Sequence, residues 1–430
     1  MSELLPLIRA TNTKQVASKI RGRGRGTAPI MRNAERIVRA TKEGGDKALC
    51  RYSWEIDRVR LSPKDLRVGR KEISEAVKRV DAGLLDAMSL ALKRIRRTQG
   101  QLLERITFSY VSEGFVIRST VRPLDSVGCY VPGGRASYAS TVLMTAGVAK
   151  LAGVRRLVIC TPPSRDGKVA DAILAAADLC GVDEVYRVGG AQAVAALAYG
   201  TETIKRVSKI VGPGGVYVSA AKKLVSRDVP IDFVAGPTEL VVVGDSGTDA
   251  RLAAWDLMGQ AEHGKDSVCG LVTWDKKLAR DVKAVVERTV PTLERREYVE
   301  GCLKNGFVAL CRDREAAVGL VNELAPEHVE LLVKDAAEMA KEIENAGLVL
   351  VGPFAPAAAS DYAVGTDHVL PTEGVAVQRA GLTSLDFVKV SWVVEGTKAG
   401  LRSILPTIKE LANAEGLPNH YLSVRARFRK

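Results

Sequence analysis

The sequence predicts an α/β protein that is built on parallel, doubly wound sheets. One observation is a regular alternation of short apolar strands with helices between residues 127 and 231. The same alternation restarts at residue 232 and continues to about residue 351. Glycine-rich turns also follow several of the predicted strands. Because ligands bind such sheets beyond the carboxyl ends of the strands, these turns indicate a binding edge.

The segments outside the two alternating regions are predicted to be mainly helical. Apolar residues recur at helical spacing over residues 37–54 and 64–101, with lysine and arginine on the other face. A shorter pattern over residues 4–20 is also predicted to be helical. A strand pair is predicted at 113–123, and the chain after about residue 386 is again predicted to be largely helical.

Three glycine-rich turns are candidates for binding a phosphate group. They are Tyr130-Val-Pro-Gly-Gly-Arg135, Gly189-Gly-Ala-Gln192 and Gly212-Pro-Gly-Gly215. Glycine has no Cβ, so backbone N–H groups and a helix N-terminus can approach a pyrophosphate there. None of the turns is a complete G-x-G-x-x-G fingerprint, and a tight structural connection therefore remains an alternative for each.

Charge and composition limit the classes of partner. The formal net charge is +13, and Arg21-Gly-Arg-Gly-Arg-Gly26 resembles a nucleic-acid-binding patch. No aromatic residues are interleaved with that patch, and only 5% of the chain is aromatic. We therefore expect a linker at this stretch and no nucleic-acid partner, although a basic surface would also favour an anionic dinucleotide.

The sequence also favours a cytoplasmic protein with no membrane partner. No apolar run approaches the roughly 18 residues that a membrane span needs, and the N-terminus has no signal-peptide core. The seven cysteines include no C-x-x-C pair, so we expect reduced, structural thiols.

The few histidines lie beside carboxylates or in polar turns. There are four of them: His263, His328, His368 and His420. Gln260 and His263 are three residues apart on a predicted helix and share one face. An amide oxygen and an imidazole can hold two corners of a metal site.

Each of the remaining candidates also has a structural interpretation. Glu327-His328 follows a proline and is equally typical of the first turn of a helix. Asp361 is compatible with a helix N-cap, and Gln192 with a cap on the helix that it opens. His420, near the chain end, is compatible with a solvated surface residue.

Long motifs that occur in order along the chain resemble the histidinol dehydrogenase family. The resemblance extends over about residues 37–425. The motifs are Tyr130-Val-Pro-Gly-Gly-Arg135, Ser140-Thr-Val-Leu-Met144, Val188-Gly-Gly-Ala-Gln-Ala193, Ala235-Gly-Pro-Thr-Glu239, Gln260-Ala-Glu-His263, Pro326-Glu-His328, Gly365-Thr-Asp-His-Val-Leu-Pro-Thr372 and Ala414-Glu-Gly-Leu-Pro-Asn-His420.

This resemblance implies an architecture and an activity. The architecture has two incomplete Rossmann-like parallel-sheet domains, one inserted in the other, with a helical N-terminal region and a helical C-terminal tail. The implied domains are residues 27–126 with 232–385, and the inserted NAD-side unit 127–231; residues 1–26 precede them and the tail is 386–430. The implied activity is the oxidation of L-histidinol through L-histidinal to L-histidine, with NAD and one zinc ion per subunit. A homodimer whose tails reach the partner subunit is implied as well.

The resemblance also assigns roles to individual residues. The catalytic pair falls on Glu327 and His328. The zinc ligands fall on Gln260, His263, Asp361 and His420. Substrate contacts fall on Thr238, His368 and Glu415, together with His328 and the zinc ligands. NAD contacts fall on Tyr130 and Gln192.

The residue types suit that chemistry. Histidinol carries an imidazole and an amine, which are both zinc donors, so the metal can hold the substrate. His328, with an ordinary pKa near 6.5, suits a base that takes the hydroxyl proton, and Glu327 suits activation of the water that adds to the aldehyde. Hydride transfer belongs to the cofactor.

Three positions depart from the pattern usual in that family. Gly215 stands where an asparagine usually contacts the cofactor, which leaves the mode of NAD binding open. Asp367 replaces a common asparagine, and Thr238 replaces a common serine but keeps the hydroxyl. Two other functions therefore remain: a dehydrogenase of another alcohol, such as sulfopropanediol, and an inactive scaffold relative. The spacing of Glu415 and His420 favours histidinol.

Overall fold

The computed structural model describes residues 3–21, 27–133 and 137–428. Three sheets occur in these ranges. Their strands are β1 (Leu7–Arg9), β2 (Ser109–Ser112), β3 (Phe115–Pro123), β4 (Ser126–Tyr130), β5 (Arg156–Cys160), β6 (Glu184–Tyr186), β7 (Lys209–Val211), β8 (Glu239–Gly244), β9 (Val268–Thr273), β10 (Phe307–Leu310), β11 (His328–Leu331), β12 (Leu348–Val351) and β13 (Val388–Gly396).

Helices cover both parallel sheets, and none in the described ranges is long and apolar enough to cross a membrane. They are α1 (Thr13–Arg21), α2 (Thr27–Tyr52), α3 (Arg70–Arg79), α4 (Ala82–Arg105), α5 (Ala139–Val142), α6 (Val148–Leu151), α7 (Asp171–Leu179), α8 (Gly190–Tyr199), α9 (Val216–Val225), α10 (Ala250–Ala261), α11 (Lys276–Thr289), α12 (Arg296–Asn305), α13 (Arg314–Leu324), α14 (Ala336–Met339), α15 (Ala357–Tyr362), α16 (Lys398–Ser403), α17 (Leu405–Ala414) and α18 (Pro418–Arg425).

The larger sheet is six-stranded and parallel, in the order β1-β10-β9-β8-β11-β12. From β8 the chain first builds outward through β9 and β10, and then returns to the other side of β8 with β11 and β12. The strand order therefore reverses between β8 and β11. Strand β8 is almost wholly apolar and buried, because helices α10 to α12 cover one face of the sheet and α1 and α13 cover the other.

The smaller parallel sheet is four-stranded, in the order β6-β5-β4-β7, and reverses between β4 and β7. All five residues of β4 are buried. Helix α8 is alanine-rich and almost completely buried, since small side chains let it lie between this sheet and helices α2 and α9. The two parallel sheets and their covering helices confirm the predicted fold class.

Local pattern misidentified two segments. Residues 7–9, predicted as helix, form β1 and pair in parallel with β10. Residues 388–396, predicted as part of the helical tail, form β13, which pairs antiparallel with β3. Both segments pair with residues hundreds of positions away, and such pairing is invisible to periodicity within a short window. Residues 22–26 of the predicted linker lie outside the described residues.

The N-terminal helices pack on the two faces of the four-stranded sheet. Helix α2 contributes Ile37 and Leu49 to the core around α8 and α9, and α4 contributes Leu92 and Ile95 to the core on the other face of that sheet. The second of these cores also contains residues from the part of the chain after residue 232, with which residues 27–126 were predicted to form a domain. The domain division itself stays a prediction.

Candidate active site

A cavity of about 500 Å³ lies between the two parallel sheets. On one side it is lined by Tyr130 and the residues just after it, at the carboxyl end of β4, and by residues 213–215 after β7. On the other side it is lined by Thr238, Glu327 and His328, at the amino ends of β8 and β11. Each sheet therefore reaches the cavity at the point where its strand order reverses, but from opposite strand ends.

Glu327 is held by hydrogen bonds from the start of β8. Its Oε2 accepts from the Glu239 backbone N–H at 2.8 Å and from the Thr238 hydroxyl. Gln260 in turn donates from Nε2 to Thr238 Oγ1 at 2.7 Å. These bonds fix the carboxylate through Oε2, and no donor in the described residues is recorded on Oε1. Oε1 is thus the oxygen that a substrate or water can reach.

The imidazole of His328 has one fixed and one free nitrogen. Nδ1 lies 3.1 Å from the backbone oxygen of Glu239. Because a carbonyl only accepts, Nδ1 carries the hydrogen, and Nε2 holds the lone pair of the neutral ring. Nε2 is buried without a hydrogen-bond partner in the described part of the chain and lies 3.8 Å from Asp361 Oδ1.

Opposing effects set the charge of His328. Burial by itself lowers the pKa of this imidazole, but the carboxylates of Glu327 and Asp361 outweigh it and raise the pKa to about 9. The ordinary pKa near 6.5 that was expected for His328 from the sequence therefore does not apply to this buried ring. Removal of negative charge at either carboxylate moves the pKa back towards neutrality.

Three of the four predicted zinc ligands line the cavity. Gln260 is buried near the end of α10, His263 follows that helix, and Asp361 lies on α15. His420 lies on α18, which has no buried residues, and it is not among the cavity residues. Accordingly, no group of three or more His, Cys, Asp or Glu side chains within the described ranges is arranged to hold a metal.

Of the other predicted substrate residues, two line the cavity and one lies outside it. Thr238 and His368 line the cavity, and His368 is oriented by Nδ1, which lies 2.9 Å from the Asp361 backbone oxygen. Burial lowers the pKa of His368, which favours a neutral ring. Glu415 instead lies at the exposed end of α17, outside the cavity.

The two predicted NAD residues meet at the start of α8. The Gly190 N–H donates to the Tyr130 hydroxyl at 3.1 Å, and a Cβ at Gly190 would lie 2.7 Å from Gln192 Oε1. Tyr130 lines the cavity; Gln192 does not, and is fully buried. Neither polar atom of the Gln192 amide has a hydrogen-bond partner in the described part of the chain. Residues 134–136, which complete the predicted glycine-rich turn after β4, lie outside the described residues.

A buried ion pair supports the loop after β7. Lys222 pairs with Asp232 and donates to the Gly212 carbonyl at 2.9 Å, while Asp232 accepts from the Gly212 N–H at 2.8 Å. Gly212 has φ 113°, and a Cβ there would lie 2.2 Å from the Tyr130 carbonyl oxygen. The Gly-Pro-Gly-Gly turn can therefore pass close to β4 only because its first residue is glycine.

Glu239 is a positioning residue that the sequence analysis did not select. Its backbone N–H and C=O bond to Glu327 and His328 as described, and its Oε2 accepts from the Glu327 N–H at 3.2 Å. Burial raises the pKa of Glu239 to about 8. A charged residue at the first position of the otherwise apolar β8 was the available signal, since a buried acid needs partners.

The chain closely matches known proteins in both sequence and structure. A sequence model of the family described as histidinol dehydrogenase matches residues 22–428. The histidinol dehydrogenase of Methanothermobacter thermautotrophicus is 44% identical over 91% of this chain and 92% of its own length. That of Oceanobacillus iheyensis is 41% identical over 91% and 92%.

A solved structure agrees with these matches. The crystal structure of histidinol dehydrogenase from Elizabethkingia anophelis has a TM-score of 0.92 and 33% identity, and the match covers 100% of this chain and 98% of that one. This chain belongs to the histidinol dehydrogenase family. Membership of the histidinol dehydrogenase family makes it an oxidoreductase of histidine biosynthesis, and it confirms the resemblance that the motifs indicated.

Gly215, one of the three positions that the sequence analysis gave as departures from the family pattern, lies at the cavity wall. Gly215 lines the cavity as the N-cap of α9, and a Cβ there would meet nothing within 4 Å. Its φ of −65° is accessible to any residue. Neither the backbone nor crowding therefore requires glycine at this position.

Proposed function

We propose that this chain oxidises L-histidinol through L-histidinal to L-histidine, in two hydride transfers to NAD, with one zinc ion per subunit. The observation that carries the proposal is the buried His328, whose Nδ1–H is held by Glu239 while its Nε2 lies unpartnered at the cavity. Such an imidazole is oriented to accept a proton from a bound hydroxyl group.

The donor set suits zinc. Gln260, His263 and Asp361 supply one amide oxygen, one imidazole and one carboxylate around the same cavity, and a second copy of the chain would add His420. Nitrogen and oxygen donors of this kind are ordinary zinc ligands. When bound, zinc would supply a Lewis-acid site for the imidazole and amine nitrogens of histidinol.

His328 would take the hydroxyl proton as the carbinol hydride leaves for NAD. The product of this half-reaction is the aldehyde, with the proton on Nε2. The carboxylates of Glu327 and Asp361 together raise the pKa of His328 to about 9. If the charge of Asp361 were compensated, the pKa of His328 would lie closer to the range of an efficient general base.

Glu327 would act in the second half-reaction. Water must add to histidinal before a second hydride can leave, and Oε1 of Glu327 is the carboxylate oxygen not engaged by the start of β8. It would take a proton from that water. Thr238 links Glu327 to Gln260 through two hydrogen bonds and so aligns the base with the substrate-holding residues.

The cofactor would lie against the carboxyl ends of β4 and β7. Tyr130 and the glycines of the turn at residues 212–215 line the cavity on this side. The amide of Gln192 is buried next to Gly190 without a hydrogen-bond partner among the described residues, so its contact with the cofactor would require the ligand or the start of α8 to shift. NAD supplies the hydride acceptor when it is bound. The absence of a side chain at Gly215 leaves this edge with one polar contact fewer than is usual in the family.

We further propose a homodimer that exchanges C-terminal tails. The tail carries exposed apolar side chains, including Leu411 at 59% and Leu422 at 48%, and the adjoining β13 exposes Trp392 at 59%. Large exposed apolar surfaces of this kind mark protein interfaces. Because Glu415 and His420 lie outside the cavity of their own chain, a partner's tail would complete each site.

The decisive experiment measures NADH formation with histidinol, with and without a chelator. We expect two NADH per histidinol, loss of activity on chelation, and recovery when zinc is restored. Activity with another alcohol, such as sulfopropanediol, but not with histidinol would assign a different substrate. Absence of NADH with every alcohol, even after zinc is added, would support an inactive scaffold.

A further inference from the structure

The six-stranded sheet carries a second, larger cavity at the ends of its strands that do not meet the active-site cavity. Its volume is about 1320 Å³. It is lined by Leu7 and residues 9–14, at the carboxyl end of β1, by residues 310–312, at the carboxyl end of β10, by Ala316 on α13 and by one face of α11. The catalytic candidates Glu327 and His328 lie at the opposite, amino ends of the same sheet.

The residues that line this cavity carry mainly positive charge. Its only acidic lining residue in the described ranges is Glu287. Six basic residues line it: Arg9, Lys14, Lys276, Arg280, Lys283 and Arg312. Lys283 pairs with Glu3 and Arg312 with Asp313, but the other four have no ion-pair partner among the described residues. A cavity of this kind attracts and concentrates anions.

The wall between the cations is apolar. Leu7, Ala10, Ala279, Leu310 and Ala316 contribute to it, and no aromatic side chain in the described ranges lines it. A ligand that satisfies the cavity therefore combines concentrated negative charge with a compact, less polar body. A phosphate ester fits both requirements, because lysine and arginine are the usual phosphate partners and the body can cover the apolar wall.

A nucleic acid is a poorer fit. Single-stranded nucleic acids are bound by basic grooves that interleave cations with stacking aromatic side chains, and this cavity offers none within the described residues. Its walls come from three separate segments that surround a limited volume, which suits one molecule rather than a continuous backbone.

We propose that this cavity is a second binding site, separate from the active site, for a phosphate-bearing small molecule of about nucleotide size. The phosphates would contact Arg9, Lys14, Lys276 and Arg280. The body of the molecule would lie on the apolar wall next to Leu310. This site does not depend on zinc or NAD, because it shares no lining residue with the active-site cavity.

The test is calorimetric titration of the full chain with ATP in the presence of saturating NAD, which keeps the dinucleotide site filled. We expect one ATP per chain, and no binding of adenosine, which lacks the phosphates. The double variant Lys14→Glu/Arg280→Glu should weaken ATP binding by at least about 10-fold, because two charge-assisted contacts become repulsive. Tripolyphosphate should bind more weakly than ATP, because it leaves the apolar wall uncovered.

A matched variant controls for the change in net charge. Lys71→Glu/Lys93→Glu makes the same change at two exposed lysines on α3 and α4 that form no ion pair with any described residue. ATP affinity should stay within about twofold. NADH formation should be unchanged in both variants. The proposal is overturned if ATP does not bind, if the cavity variant binds ATP as the parent does, or if that variant loses NADH formation together with ATP binding.

Discussion

The two parallel sheets contribute to the active-site cavity in contrasting ways. The four-stranded sheet presents the carboxyl ends of β4 and β7, where glycine-rich turns bring backbone close to the cavity. The six-stranded sheet presents the amino ends of β8 and β11, where Glu327 and His328 are buried and hydrogen-bonded. The four-stranded sheet therefore contributes accessible backbone groups to the cavity, whereas the six-stranded sheet contributes ionisable side chains.

This difference matches the requirements of the two tasks that we propose, dinucleotide binding and proton transfer. A dinucleotide needs close approach to N–H groups, which glycine permits and larger residues obstruct. Proton transfer needs side chains whose position and pKa are fixed, and burial among partners at the start of a strand provides both. Substitutions near the cavity in the six-stranded sheet should consequently lower the catalytic rate. Substitutions of the turn glycines in the four-stranded sheet should strain the backbone and lower stability.

The largest expected effect is a loss of catalytic rate when an ionisable side chain of the six-stranded sheet is replaced. His328→Asn should lower kcat for histidinol by about 10²- to 10⁴-fold, because the amide can still donate to the Glu239 carbonyl but cannot accept the substrate proton. Glu327→Gln should mainly impair oxidation of histidinal. Steady-state rates measured separately with the alcohol and the aldehyde distinguish the two roles. Unchanged turnover with histidinol would remove His328 from the mechanism.

Two glycines of the turn after β7 test the role of backbone conformation in the four-stranded sheet. Gly212→Ala should destabilise the chain by about 2–3 kcal/mol, since φ is 113° and the new methyl group would approach the Tyr130 carbonyl oxygen. Gly215→Ala is the matched control in the same turn. Its φ is −65° and its surroundings are open, so only the poorer N-cap preference of alanine acts, and stability should fall by about 1 kcal/mol or less. Urea unfolding measures both; equal destabilisation would contradict the strain argument.

The smallest expected effect is on the pH dependence of stability, through a buried carboxyl group on the six-stranded sheet. Glu330 accepts the N–H of Ala357 at the start of α15, and burial together with the neighbouring Asp256 raises the pKa of Glu330. The folded state then holds a proton that the unfolded chain releases above about pH 4.5, so stability falls as pH rises beyond that value.

Glu330→Gln should reduce this loss, because the amide oxygen still accepts from Ala357 and the amide N–H₂ faces Asp256 without titrating. We expect a difference of about 1–2 kcal/mol between pH 5 and pH 8 relative to the parent. Thermal or urea unfolding at both pH values measures it, with the exposed Glu344→Gln as control. A parallel pH profile for parent and variant would exclude Glu330 as the source.

Much of the architecture could be predicted from local pattern. The alternation of buried strands and helices gave both parallel sheets, and the turns at residues 130–135 and 212–215 were expected at a carboxyl edge, where β4 and β7 do end. The same rule did not anticipate that β8 and β11 would meet the cavity at their amino ends. Strand direction relative to a neighbouring sheet depends on how the two sheets pack, which no window of sequence encodes.

The candidate site was likewise predictable in part. Thr238, Gln260, His263, Asp361 and His368 came from motifs, and the structure brings them to one cavity with Glu327 and His328. The role of Glu239 was not evident, because two of its bonds to the catalytic pair are made by its backbone. Glu415 and His420 remain predictions, since both lie outside the cavity of their own chain and would reach a site only in the proposed dimer.

The sequence by itself determined the family, the secondary-structure rhythm and the residue types available for chemistry, since these depend on local periodicity and on motif order. Tertiary structure decided the pairing of β1 and β13, the packing of α2 to α4 on the smaller sheet, and the raised pKa of His328. These features arise from contacts between residues distant in the chain. Burial and electrostatic coupling exist only once such contacts have formed.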